Sequence, residues 1–157
     1  MSTTQPPKVP VVPTLTNVGT RPRTPHKLFV NIAVSDLQRS ITFFEALGFN
    51  FNKQFTDATA TCMLVGEDAY FMLLTRDRFM GFSKRPISDT QNEDSALFSL
   101  SVNTRDAVND MVNRAAAAGG TTLGEPEDHG FMYEWSFRDP DGHSFGVFWI
   151  DPSALQG

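Results

Sequence analysis

The side chains able to do chemistry are few: three histidines, one cysteine and 18 acidic residues in 157. The stretch DPDGHSFGVFW, Asp139 to Trp149, places His143 beside a turn and then runs into a strand. That strand carries Ser144, Gly146 and Phe148 on one parity and no carboxylate. A divalent metal wants several nitrogen and oxygen donors converging, so the strand reads as a pocket wall, with His143 expected to be exposed at the turn. His129 stands in EPEDHG beside Glu125, Glu127 and Asp128, which reads as a solvated acidic loop with a metal site as the alternative. No cysteine–histidine or serine–histidine spacing marks a nucleophile, and GTTLGE lacks the further residues of a phosphate-binding loop. No catalytic residue is assigned. Cys62 lies within the apolar run TATCMLV; it excludes an intrachain disulfide and reads as a small buried hydrophobe.

The rest of the chain must position those groups. Its length fits one domain with a real core, and a net charge of −5 argues against nucleic-acid partners. No apolar run approaches the roughly 18 residues of a membrane span, and no secretory signal is visible, so a cytoplasmic, membrane-free protein is expected. Residues 1–26 hold six of the ten prolines and no acidic residue. Such density opposes helix and favours extended chain. A flexible arm is expected there, with a proline-motif ligand or a transit peptide as alternatives. Residues 152–157 read as a tail.

From Lys27 the pattern sharpens. KLFVNIAV alternates, with Leu28, Val30, Ile32 and Val34 on one face. Ser35 and Gln38 then offer a capping box, Leu37, Ile41, Phe44 and Leu47 follow at helical spacing, and Gly48 suits the C-terminal cap. FNFNKQF, TATCMLV and AYFMLLT read as three strands. The order repeats: ALFSLSV as a strand, Thr104 capping a helix with Val108, Met111, Val112 and Ala115, then TTLGE, FMYEWSFR and HSFGVFWI as strands. The fold class is therefore α+β, two tandem β-α-β-β-β modules at 27–75 and 96–151 joined by 75–95, with each helix packed on its sheet against Leu28, Val30, Ile32, Phe98, Leu100, Phe145, Val147 and Trp149.

Side chains alternate strictly along strands, so turn length fixes which of them share a face. A two- or four-residue hairpin at Asp139–Gly142 sets Trp135 opposite Gly146, Tyr133 opposite Phe148 and Phe137 opposite Ser144, away from the helix. The same logic at Glu67-Asp68 pairs Met63 with Met72. Trp135 then lies over the bare backbone of Gly146, and Glu134 points away from the cleft. A three-residue loop reverses these assignments.

The repeated order, the helix opened by VSDLQRSITFFEALGF and the final DPDGH turn resemble the vicinal oxygen chelate superfamily (glyoxalase, extradiol dioxygenase and bleomycin-resistance protein) over residues 27–151. The resemblance implies two modules whose mixed sheets form a cupped cleft with helices on the outer face, often completed by dimerisation. It also implies that the metalloenzymes' ligand positions fall at Phe29, Met72, Leu97 and Gly146. None of these supplies a charged or imidazole ligand. The expectation is a metal-free cleft, with no cofactor and a divalent metal as the alternative. It would be lined by Phe29, Asn31, Met63, Met72, Ser99, Tyr133, Trp135 and Phe148, and would bind a small, largely apolar or aromatic molecule in a homodimer. A lyase or dioxygenase with non-standard ligands or no metal, and a self-filled dimeric scaffold, are the alternatives.

Overall fold

The structure is a computed structural model and describes residues 4–155. The first three residues of the expected arm and the last two of the expected tail lie outside that range. Residues 4–27 form no helix or strand and are exposed. The remainder builds two four-stranded sheets of the same topology. The first contains β1 (Leu28–Val34), β2 (Asn50–Asn52), β3 (Ala60–Leu64) and β4 (Ala69–Thr75), in the order β1-β4-β3-β2. The second contains β5 (Leu97–Ser101), β6 (Thr121–Asp128), β7 (Met132–Arg138) and β8 (Ser144–Ile150), in the order β5-β8-β7-β6. In each sheet the first and last strands of the module pair in parallel and the others antiparallel.

Each sheet has its helix, α1 (Leu37–Ala46) and α3 (Arg105–Ala117). The cap of α1 is Asp36 rather than Ser35: its carboxylate accepts the Arg39 N–H at 3.0 Å, while the Ser35 hydroxyl takes the Arg39 guanidinium at 2.8 Å. Thr104 caps α3 as expected, accepting the Ala107 N–H. Gly48 and Gly119 follow the helix ends at positive φ, where a Cβ would be strained. The expected strand at FNFNKQF is only three residues long and passes into a 3-10 turn at Lys53–Phe55. The joining segment contributes an unexpected helix, α2 (Arg76–Phe82), capped by Thr75 and packed on β1 and β4.

The two modules share one core. Phe44 of α1 meets Phe145 of β8, and Phe43 meets Phe137 of β7. Phe71 of β4 lies edge-on to Phe98 of β5 at 4.9 Å. Seven residues expected to face the helices (Val30, Ile32, Phe98, Leu100, Phe145, Val147 and Trp149) belong to this cluster. Leu28, the eighth, is 61% exposed at the start of an edge strand.

The hairpin registers differ from expectation in both modules. Trp135 pairs with Val147, Tyr133 with Trp149 and Phe137 with Phe145, while Ser136 lies opposite Gly146. Met63 pairs with Phe71, and Met72 with Cys62. The cause is the odd connection. Asp139 donates its N–H to the carbonyl of His143, enclosing three residues, and Val65 does the same to Ala69. The aromatic face of β7 therefore turns inward, onto the shared core. His143 is also corrected: its side chain is 4% exposed, held against the fully buried Asp139 at 2.9 Å.

Candidate functional site

The face of the second sheet turned away from the core is built from the other parity of its strands. Ser99 of β5, Gly146 of β8 and Ser136 of β7 lie side by side in register. Small side chains at three adjacent positions leave a hollow of about 210 Å³, walled by Leu97, Phe148 and Ser144 and, along β6 and β7, by Glu125, Glu127 and Glu134. A Cβ placed on Gly146 meets nothing closer than the Ser99 hydroxyl at 3.4 Å. Among the described residues no ring covers the Gly146 backbone as Trp135 was expected to do. The Trp135 indole N–H reaches the Gly124 carbonyl at 3.0 Å, and Trp135 is among the residues that line the hollow.

The structure divides the expected lining residues. Ser99, Trp135 and Phe148 line the hollow. Phe29, Asn31 and Met72 have the corresponding parity on the first sheet, where Phe29 stacks on Tyr70 at 4.7 Å. Met63 is fully buried in the core and cannot line a cleft. Tyr133 is likewise corrected to the helix side, where its hydroxyl donates to the side-chain amide oxygen Oδ1 of Asn109 in α3 at 2.7 Å. The Arg105 guanidinium stacks over Tyr133 and Trp149, and its hydrogen bond to Asp128 at 2.6 Å lowers that carboxyl below its ordinary range.

Glu134 is the group that hairpin parity misplaced. It pairs with Phe148 and lines the hollow. Its Oε1 lies 3.3 Å from Nε2 of His129, which is 3.5 Å from Oε2 of Glu127. One ligand atom from each of the three falls within 4.8 Å of the others, in an exposed group at the rim. The signal was present in β7 itself: MYEWSFR alternates aromatic with glutamate and serine, so its own pattern, rather than the turn, gives the correct face.

At the superfamily's metal positions the donor set fails. Leu97 adjoins Ser144 and Gly146 adjoins Ser99, while Phe29 adjoins Tyr70 and Met72 adjoins Asn31. No carboxylate or imidazole occupies those positions, so the residues present do not fit that metal site. Burial raises the Cys62 thiol above its ordinary pKa, which disfavours the thiolate a nucleophile or ligand needs.

Among the described residues no helix is long and apolar enough to cross a membrane. No match is found among curated proteins. Several solved structures are similar. The hypothetical protein SA1046 from S. aureus is 28% identical with a TM-score of 0.70, over 81% of this chain and 95% of that one. A glyoxalase/bleomycin resistance protein/dioxygenase family enzyme from Burkholderia phytofirmans PsJN is 19% identical with a TM-score of 0.65, over 78% and 96%. The fosfomycin resistance protein FosX from Listeria monocytogenes is 16% identical with a TM-score of 0.59, over 80% and 91%. The last two share the fold. Residues 27–147, covering the first module and most of the second, match the Glyoxalase/Bleomycin resistance protein/Dioxygenase superfamily, and the chain belongs to it.

Proposed function

We propose that this chain is a metal-free binding protein of the superfamily that holds a small, flat, largely apolar molecule in the hollow at Gly146. The observation that supports this most is the pairing of a side-chain-free floor with a metal position that offers no donor. Ser99, Ser136 and Ser144 supply a few hydroxyls to orient a ligand, and Phe148 and Leu97 supply apolar wall. Leu97 is 71% exposed and Phe29 47% exposed, each on an edge strand. A second copy covering those edges fits a homodimer that encloses the ligand.

The competing reading is a lyase or dioxygenase with non-standard ligands. The grouping of Glu127, His129 and Glu134 favours it, since two carboxylates and an imidazole suit a divalent ion. Elemental analysis of purified protein separates the two readings. The binding reading expects far less than one metal per chain and saturable fluorescence enhancement of the neutral probe N-phenyl-1-naphthylamine. That signal should disappear in Gly146→Trp while the melting temperature holds. Stoichiometric metal that is lost in Glu134→Gln overturns the metal-free reading. Probe binding indifferent to Gly146→Trp overturns the location.

A further inference from the structure

A second cavity, sharing no lining residue with the hollow, lies where the joining segment crosses the edge of β1. It measures about 390 Å³ and is walled by Ile32, Ala33, Phe79, Ile87 and Phe98, with His143 among its lining residues. An apolar cavity of about 150 Å³ already accommodates benzene, so this one has room for a substituted ring.

His143 gives the cavity a polar group. The Asp139 Oδ1 accepts the backbone N–H groups of Asp141 and His143, at 3.0 and 2.8 Å, and its Oδ2 faces the His143 Nδ1 at 2.9 Å. A carboxylate used wholly as an acceptor makes Nδ1 the donor. In that tautomer the imidazole lone pair lies on Nε2. That atom makes no hydrogen bond among the described residues, although the imidazole is more than nine-tenths buried. Nε2 is not one of the fully sealed polar atoms that lack a partner, so it keeps accessible surface for a donor that enters the cavity. Arg85 lines the same cavity, and its guanidinium forms no ion pair among the described residues.

We infer that this cavity is a second small-molecule site, one that takes a phenol. The ring fills the apolar walls, the hydroxyl donates to Nε2 of His143, and Arg85 favours the partial negative charge that an acidic hydroxyl carries when it donates. The aromatic wall residues Phe79 and Phe98 argue for an aromatic body, and the single acceptor argues for one donor. The roof is held in place from both sides. The Thr90 hydroxyl donates to the Asp141 carbonyl at 2.6 Å, and the Gln91 amide donates to the Pro140 carbonyl at 2.9 Å.

The test is calorimetric titration of the full chain with 4-nitrophenol and with 4-nitroanisole, which keeps the ring and lacks the donor. The wild-type protein is expected to bind the phenol at least tenfold more tightly than the ether. His143→Asn retains an amide able to donate to Asp139 and removes Nε2, so it should abolish that preference while keeping weak binding of both. Ser95→Trp, which places bulk into the cavity from its exposed wall, should abolish both and serves if His143→Asn fails to fold. Gly146→Trp should leave nitrophenol binding unchanged, which keeps this site separate from the hollow. Equal affinity for phenol and ether, a preference that survives in His143→Asn, or binding unaffected by Ser95→Trp overturns the inference.

Discussion

The two modules share one topology yet treat their outward faces differently. In the first sheet, the outward parity at one end is apolar and buried: Ala33, Ala60, Cys62 and Leu74 are nearly inaccessible. There α2 packs back on β1 and β4, and the 3-10 turn packs on β3. In the second sheet the same parity reads Ser99, Ser136 and Gly146, and it stays open around a hollow. A strand order alone therefore does not create a site. The segments added between strands decide which outward face is sealed, and residue size on the unsealed face decides whether a ligand has room.

The comparison presumes one core serving both modules, and the largest expected effect tests that presumption. Phe44→Ala removes a fully buried ring that touches Phe43 and Phe49 in its own module and Phe145 across the module boundary. It should cost about 3–5 kcal/mol. Urea denaturation followed by tryptophan fluorescence and by far-ultraviolet dichroism should show a single coincident transition. Two separated transitions would mean that the modules are independent.

The sealed face is probed by Cys62→Asp. Cys62 is the counterpart of Ser136 in the first sheet, and a carboxylate there has no partner and little water. Destabilisation of about 3 kcal/mol or more is expected in thermal melts. The turn that sets the register of the second sheet comes next. Gly142 has φ of 90°, and a Cβ there would run into the Thr90 carbonyl. Gly142→Ala should cost more than about 1 kcal/mol and loosen residues 89–91 in hydrogen exchange.

Gly146→Glu sharpens the contrast from the open side. With space at its Cβ and no ring above it, it should change stability by less than about 1 kcal/mol, while removing probe binding in the hollow. A large loss would show that the outward face of the second sheet is as sealed as that of the first. The smallest effect belongs to Asp94→Asn. The hydrogen bond from Arg138 to Asp94, 2.6 Å long, lowers the Asp94 carboxyl below its ordinary value. Its contribution is therefore complete above the ordinary carboxylate pKa and is lost as pH falls through the depressed one. Because the group is exposed, screening leaves only a slight change in melting temperature. Faster exchange in residues 92–96 on acidification, absent from the variant, is the measurement that reports it.

Much of the architecture was legible along the chain because it depends on local periodicity. β1, β5 and β8 each alternate strongly enough to declare a buried face, and Thr104, Gly48 and Gly119 mark helix ends through backbone chemistry that needs no distant partner. The empty donor positions at Phe29, Met72, Leu97 and Gly146 were equally legible, since residue type alone excludes them as strong metal ligands. Register across the hairpins was not. Loops of even and odd length satisfy the same turn residues, and a change of one inverts every pair, moving Met63, Tyr133 and Trp135 into the core and Glu134 out of it. Nor could local pattern foretell that α2 and the joining segment would fold back, bury His143 against Asp139 and enclose a cavity beside β1. Those features depend on contacts between residues some fifty positions apart, such as Thr90 with Asp141. Such contacts exist only once the shared core has brought the modules together, so tertiary packing alone decided which of the chain's few chemical groups face an open space.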